Sequence, residues 1–199
     1  MKINKAYFKN SDVLFLARDL IGKYFFTLIG GQITGGIITE TEAYKGVTDK
    51  ASHAYGGRRT KRTETMYAEG GVLYVYLCYG MHCLTNFVTN EAETPDAILI
   101  RAVYPTHGEE LILKRRNKSS ITHNILQGPG KVSKGLGITL AENGKSLATE
   151  RIWLEDRELA IAVEHIIASP RIGVDYAGED ALLPYRFFIN HKLLEQQYL

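Results

Sequence analysis

The chain has 199 residues, 45% hydrophobic and 23% charged, which suits one soluble domain with a substantial core. No apolar run is long enough to span a bilayer, and two cysteines, Cys78 and Cys83, are too few for a secreted disulfide scaffold, so a reducing cytoplasmic setting is expected. The net charge of +2 is too small to announce a nucleic-acid partner; only an uneven distribution of charge would present a basic face to phosphates.

The first residues, Met1 to Lys5, lead into a polar-capped helical pattern and not into the apolar stretch of a signal peptide. Ser11 is the expected N-cap, Val13, Leu14, Leu16, Ala17, Leu20 and Ile21 follow a helical period, and Gly22 fits the stop. Residues 23–29 read as a strand, Gly30-Gly31 as a two-residue hairpin turn, and the next strand runs to about Tyr44. Gly70-Gly71 opens a strand over 72–78, followed by strands over 84–89 and 97–103. A helix is predicted over 109–116, and Gln127-Gly128-Pro129-Gly130 leads into a short one. Further strands are expected over 151–154 and 160–165, and the tail from Ser169 carries loop signals with an aromatic cluster at Tyr185, Phe187 and Phe188. Strands joined by short turns, without regular alternation with helices, predict an α+β fold: a single domain over 1–199 around a mostly antiparallel, curved β-sheet with flanking helices.

Alternation along residues 37–44 places Ile38, Glu40, Glu42 and Tyr44 on one strand face. Two carboxylates there fit either an edge strand protected by charge or a site that needs a carboxylate, and the strand alone balances the two. Tyr74 and Tyr76 share a face, and Tyr79 precedes Gly80 at a strand end, where it would project as a wedge; taken singly, each tyrosine reads as ordinary core. Gly128-Pro129-Gly130-Lys131 is either an anion-cradling helix start or a turn with an incidental lysine. Two basic clusters, Arg58, Arg59, Lys61, Arg62 and Lys114, Arg115, Arg116, Lys118, read on charge alone as solvated surface. The six histidines, among them His53, show no zincin spacing, so no metal site and no cofactor are expected.

Taken together, these segments resemble the alkyladenine (3-methyladenine) DNA glycosylase family. The matching motifs are Ala17-Arg18-Asp19-Leu20-Ile21-Gly22, Ile38-Thr39-Glu40-Thr41-Glu42-Ala43-Tyr44, His53 with Gly56-Gly57-Arg58, and Gly71-Val72-Leu73-Tyr74-Val75-Tyr76-Leu77-Cys78-Tyr79-Gly80-Met81. Asn86, Ile98-Leu99-Ile100-Arg101-Ala102, Gly128-Pro129-Gly130-Lys131, Pro170-Arg171-Ile172-Gly173 and Pro184-Tyr185-Arg186-Phe187 continue the pattern in order over nearly the whole chain.

The resemblance implies a monofunctional enzyme that extrudes a damaged purine from double-stranded DNA and hydrolyses its bond to deoxyribose, without cutting the backbone. By resemblance Glu42 is the carboxylate that activates water and Arg101 helps hold that water. Tyr44, His53 and Tyr76 are the walls of the base pocket, and Asn86 is the residue that discourages guanine's exocyclic amine. Tyr79 is the side chain pushed into the gap, and Arg58, Arg59 and Lys131 are candidates for the DNA backbone. The expected partner is duplex DNA carrying alkylated or deaminated purines, with hypoxanthine and ethenoadenine as further substrates. A monomer is expected, in a bacterial-like, cytoplasmic, nucleoid-associated setting, with no membrane partner. Cys78 and the run Met81-His82-Cys83-Leu84 depart from the family pattern, which bears on lesion range. The alternatives are a catalytically silent nucleic-acid-binding module of the same fold, a small-molecule hydrolase or transferase using Glu40 with Glu42, and a bifunctional glycosylase with an amine nucleophile.

Overall fold

Aspartate at position 12 decides where the first helix begins. Its carboxylate accepts from the backbone N–H groups of Leu14 and Phe15, both at 3.0 Å, and so caps α1 (Val13–Asp19). The cap is therefore one residue later than Ser11. Asn10 in turn accepts from the Asp12 N–H at 2.8 Å. The structure is a computed structural model that describes residues 1–199.

Gly30 and Gly31 both adopt positive φ, 72° and 75°, the geometry of the tight turn whose twist matches paired strands. They join β1 (Tyr24–Ile29) to β2 (Gln32–Tyr44). Then follow β3 (Leu73–Cys78), β4 (His82–Thr89), β5 (Asp96–His107), α2 (Glu109–Arg116), α3 (Pro129–Leu136), β6 (Ile152–Glu155), β7 (Ile167–Ser169), β8 (Arg186–Phe188) and α4 (His191–Gln197). The strands form one open sheet in the order β3-β4-β5-β2-β1-β6, with β8 joining β2 and β7 pairing with β8. Every paired register is antiparallel, as an α+β fold requires.

Two expectations fail. Residues 160–165 form no strand; the Ala162 N–H is satisfied by the Tyr198 hydroxyl at 3.0 Å instead of by a ladder partner, and a 3-10 turn follows at Val163–His165. The tail is not all loop. Phe187 is buried, and β8 pairs with Glu40, Thr41 and Glu42 of β2. A three-residue strand is too short to leave a periodic signature.

β2 lies inside the sheet, flanked by β5 along one side and by β1 and β8 along the other, which removes the edge-strand reading of its two glutamates. Its register with β5 breaks on both sides of Glu40: Ile38 opposes Val103, Glu40 opposes Ala102 and Thr41 opposes Ile100. Thr39 is thus the extra residue on β2 and Arg101 the extra residue on β5. Bulges of this kind bend a strand and re-aim side chains.

One face of the sheet carries the main core of 29 buried residues, with Leu16, Leu20, Phe25, Phe87, Ile98, Val132 and Leu136 among them, under α1 and α3. The other face is covered by the long connection of residues 45–72 and by residues 170–182. That connection holds only two 3-10 turns, at Tyr55–Gly57 and Glu64–Tyr67, and a loop of such length is usually a functional one. No helix is long and apolar enough to cross a membrane.

Candidate active site

Between the second face and its covering segments lies a cavity of about 200 Å³, lined mainly by hydrophobic and aromatic residues. Period-two alternation on β3 aims Tyr74 and Tyr76 into it, and their cross-strand partners on β4, Asn86 and Leu84, follow. Tyr44 at the end of β2 and His53 from the covering connection complete the aromatic walls. The Tyr74 and Tyr76 rings are 5.4 Å apart, and His53 meets Tyr76 edge-on at 4.6 Å. His53 Nδ1 lies 2.9 Å from the Tyr74 hydroxyl, and its Nε2 lies 3.4 Å from the Arg62 guanidinium. A guanidinium only donates, so Nε2 accepts and the ring proton sits on Nδ1, facing Tyr74. Burial, and then the charges of Arg62 and Arg58, push the His53 pKa down to about 4. The imidazole is therefore neutral at physiological pH.

Asn86 is buried, and its Nδ2 donates to the Tyr74 carbonyl at 3.1 Å. The plain expectation for a lone asparagine, that it satisfies local backbone, therefore holds for its amine. Its carbonyl oxygen makes no hydrogen bond within the chain, and the residue borders the cavity.

Tyr79 stands at the tip of the β3–β4 hairpin with φ of 50°, uncommon for a non-glycine residue. It is 89% exposed, with Met81 73% exposed beside it. Tyr79 borders the cavity mouth. A turn that spends backbone strain to hold an aromatic ring in solvent is unlike ordinary core packing.

Glu42 lies one layer below this cavity. It is fully buried and does not itself form the wall; the groups that bond it do. The Ile172 N–H donates to its Oε1 at 2.8 Å, the Tyr44 hydroxyl donates to its Oε2 at 2.8 Å, and an Arg101 terminal nitrogen lies 3.4 Å from Oε1. Tyr44, Arg101 and Ile172 all border the cavity. Arg101 also donates through Nε to Glu40 at 2.9 Å. Burial raises the Glu42 pKa; Arg101, the Ile172 N–H and the Tyr44 hydroxyl pull against it, and Glu40 adds to the rise. The outcome is a carboxylate with more than ordinary proton affinity, within reach of an arginine and of the cavity.

The segment beyond β7 supplies residues to which motif reading attached no role. Arg171 is buried in an ion pair with Asp49, donates to the Ala43 carbonyl at 2.9 Å, and lies between the Tyr44 and Tyr185 rings. It pins the segment so that Ile172 reaches Glu42. Arg62 lies over the Tyr76 ring, its guanidinium 4.9 Å from the ring centre. Only the Pro170-Arg171-Ile172-Gly173 motif hinted at the first; nothing in the spacing singled out Arg62 from its basic neighbours.

The basic candidates divide. Arg59 is held by Glu64 at 2.7 Å and Glu93 at 2.5 Å and stacks on Tyr67, so its charge is already matched. Arg58 is exposed and forms no ion pair. Lys131, on the first turn of α3, borders a shallow groove beside the Tyr79 hairpin together with His82, Arg116 and Lys134. Arg115, from the second basic cluster, is turned inward on the carbonyls of Ile29 and Gly135 and is a structural residue.

Comparison with known proteins adds an independent line. Residues 7–193 match the model of the methylpurine-DNA glycosylase family. A Chlamydia felis protein named "Putative 3-methyladenine DNA glycosylase" is 44% identical over 189 residues, covering 94% of this chain and 96% of its own. A Bacillus thuringiensis protein of the same name is 44% identical over 189 residues, covering 91% of this chain and 92% of its own.

Proposed function

Because the chain belongs to the methylpurine-DNA glycosylase family and is accordingly a DNA N-glycosylase, we propose that it extrudes damaged purines of the 3-methyladenine type from duplex DNA and hydrolyses the N-glycosidic bond as a monofunctional monomer. The observation that carries this reading is Glu42, buried beneath an aromatic cavity and held by two hydrogen bonds and an ion pair from three groups that border it.

A purine within a duplex hides its glycosidic bond, and extrusion costs a few kcal/mol. Tyr79 enters the vacated stack. Tyr44, His53 and Tyr76 receive the base, with stacking worth about 1–3 kcal/mol; electron-rich rings suit a cationic alkylpurine. As the bond lengthens, the electron pair leaves with the base nitrogen and C1′ becomes cationic, as in glycoside hydrolysis. Glu42 stabilises that charge and takes a proton from water held with Arg101; the water oxygen bonds C1′. A cationic alkylpurine leaves as the neutral free base beside an abasic sugar, with the water's proton on Glu42; a neutral purine must also take up one proton from solvent as it leaves. No lysine borders the cavity, which favours hydrolysis over attack by an amine and backbone cleavage. Neutral His53 accommodates neutral purines, hypoxanthine and ethenoadenine, as well as cationic ones, while Asn86 rejects guanine. Arg58 and Lys131 contact DNA phosphates; Arg59 contributes less because two carboxylates already hold it.

The test is release of bases under single-turnover conditions from duplexes each carrying one lesion, for the wild type and Glu42→Gln. The reading expects several lesions to be released by the wild type and none at comparable rates by the variant. Lesion-specific binding without any release would favour the catalytically silent module instead.

A further inference from the structure

Glu40 does not border the aromatic cavity, yet polar contacts tie it to Glu42 in a closed circuit. The Arg101 guanidinium is divided between the two carboxylates, Nε to Glu40 at 2.9 Å and a terminal nitrogen 3.4 Å from Glu42. The same Glu40 oxygen accepts from Arg186 at 3.2 Å, and Arg186 Nε donates to the Ser169 hydroxyl at 2.9 Å. Three residues beyond Ser169, the Ile172 N–H returns to Glu42 at 2.8 Å. The backbone builds this circuit: Arg186 on β8 is the register partner of both Glu42 on β2 and Ser169 on β7. Glu40 is reached by Arg101 because the strand register breaks at this point.

We propose that Glu40 and Arg186 are positioning residues for base excision: as a pair they set how much of the Arg101 guanidinium is given to Glu42, and they hold residues 169–172 against it. This rests on Glu42 being the base of the proposed reaction. An arginine fork binds one carboxylate best when both its nitrogens serve it; here Glu40 draws one edge of the fork away, and Arg186 moderates that draw by neutralising Glu40. Around Glu42 stand Glu40 and Tyr44 on β2, Arg101 on β5, Arg171 and the Ile172 N–H beyond β7, Tyr176 beyond them, and Arg186 on β8. Of these, Arg171 is committed to Asp49 and Tyr44 already donates. Arg101 is the adjustable one, because it alone has two carboxylate partners.

The two ends of the pair have opposite effects. Glu40→Gln removes a like charge and frees Arg101, so Glu42 loses its proton more easily and becomes a weaker base. Arg186→Gln leaves Glu40 with Arg101 as its sole cationic partner, so Glu42 holds its proton more tightly. The experiment is single-turnover release of 3-methyladenine, a cationic purine that needs no protonation to leave and lacks guanine's exocyclic amine, from a duplex with one lesion, followed against pH. The acid limb is expected to move down for Glu40→Gln and up for Arg186→Gln, each by about half a unit or more, with little change in duplex affinity. Arg186→Lys keeps the charge and is expected to return the limb close to the wild-type position. Melting curves identify a variant that fails to fold, in which case the Lys variant and the other end of the pair still decide. Limbs that stay put, or that move the same way in both variants, overturn the inference and leave Glu42 as the base. A wild type that releases no base removes both readings.

Discussion

The aromatic cavity and the carboxylate chamber beneath it share a wall, yet they are assembled differently. The cavity takes Tyr74, Tyr76, Tyr79 and Asn86 from one hairpin, and its residues meet through ring contacts and few hydrogen bonds. The chamber takes Glu40 and Glu42 from β2, Arg101 from β5, Ile172 from beyond β7 and Arg186 from β8, and nearly every contact there is charged. An aromatic wall loses surface in proportion to what is removed. A buried charge network fails more steeply, because each loss leaves a partner uncompensated. Binding and chemistry should therefore separate cleanly by mutation.

Glu42→Gln gives the largest separation. Excision is expected to fall by about 10²–10⁴-fold, the usual worth of general-base help, while affinity for lesion duplexes stays within a small factor. Any loss of melting temperature in this variant, relative to wild type, should be smaller at neutral pH than at acid pH. The Glu42 pKa is raised in the fold; a group of this kind contributes most to stability when protonated, and that contribution is lost as pH rises through the folded value. A neutral amide avoids the loss. Single-turnover rates and melting temperatures on one preparation test both statements, and equal rates for the two proteins would unseat Glu42.

Tyr76→Leu and Tyr79→Ala strike the other region. Removing a stacking wall is expected to cost about 1–3 kcal/mol of lesion binding, with the acid limb of excision unmoved because the chamber is intact. Tyr79→Ala should lower the extruded fraction, read by a fluorescent base analogue at the lesion, and leave non-specific affinity almost unchanged. A shifted pH limb in either variant would show that the two regions are coupled after all.

Asn86→Ser tests selectivity within the cavity. An unmatched buried polar group costs on the order of 1–3 kcal/mol. The Asn86 amide is anchored on the Tyr74 carbonyl at the border of the cavity, and the shorter serine should raise guanine release relative to hypoxanthine release on matched duplexes. If the ratio holds in a folded variant, discrimination lies elsewhere.

The smallest effects belong to the surface. Each lost phosphate contact should reduce the salt slope of binding by about 0.9. Neutralising Arg58 or Lys131 is expected to do so, whereas Arg59→Gln should not, since Glu64 and Glu93 already hold that charge. A full unit lost with Arg59 would mean that DNA outcompetes both carboxylates.

Local patterns in the chain were enough for the hairpin at Gly30-Gly31, for the strands around Tyr74 and Tyr76, for the α+β class and, through ordered motifs, for singling out Glu42, Arg101 and Tyr79, which the fold brings to one cavity or directly beneath it. Those features depend on neighbours a few residues apart, where turn chemistry and period-two alternation act. Only the tertiary structure decided the rest. β8 is a three-residue strand whose place is set by Phe187 burying against a distant core. The offset at Thr39 and Arg101 arises from pairing two strands about 60 residues apart in the chain. Arg58 and Arg59 are adjacent and alike in sequence, yet one is free and the other is clamped by Glu93 from another loop. Likewise nothing near Glu42 announces that an amide at Ile172 bonds it. Long-range partners decide burial, and burial decides what a charge can do.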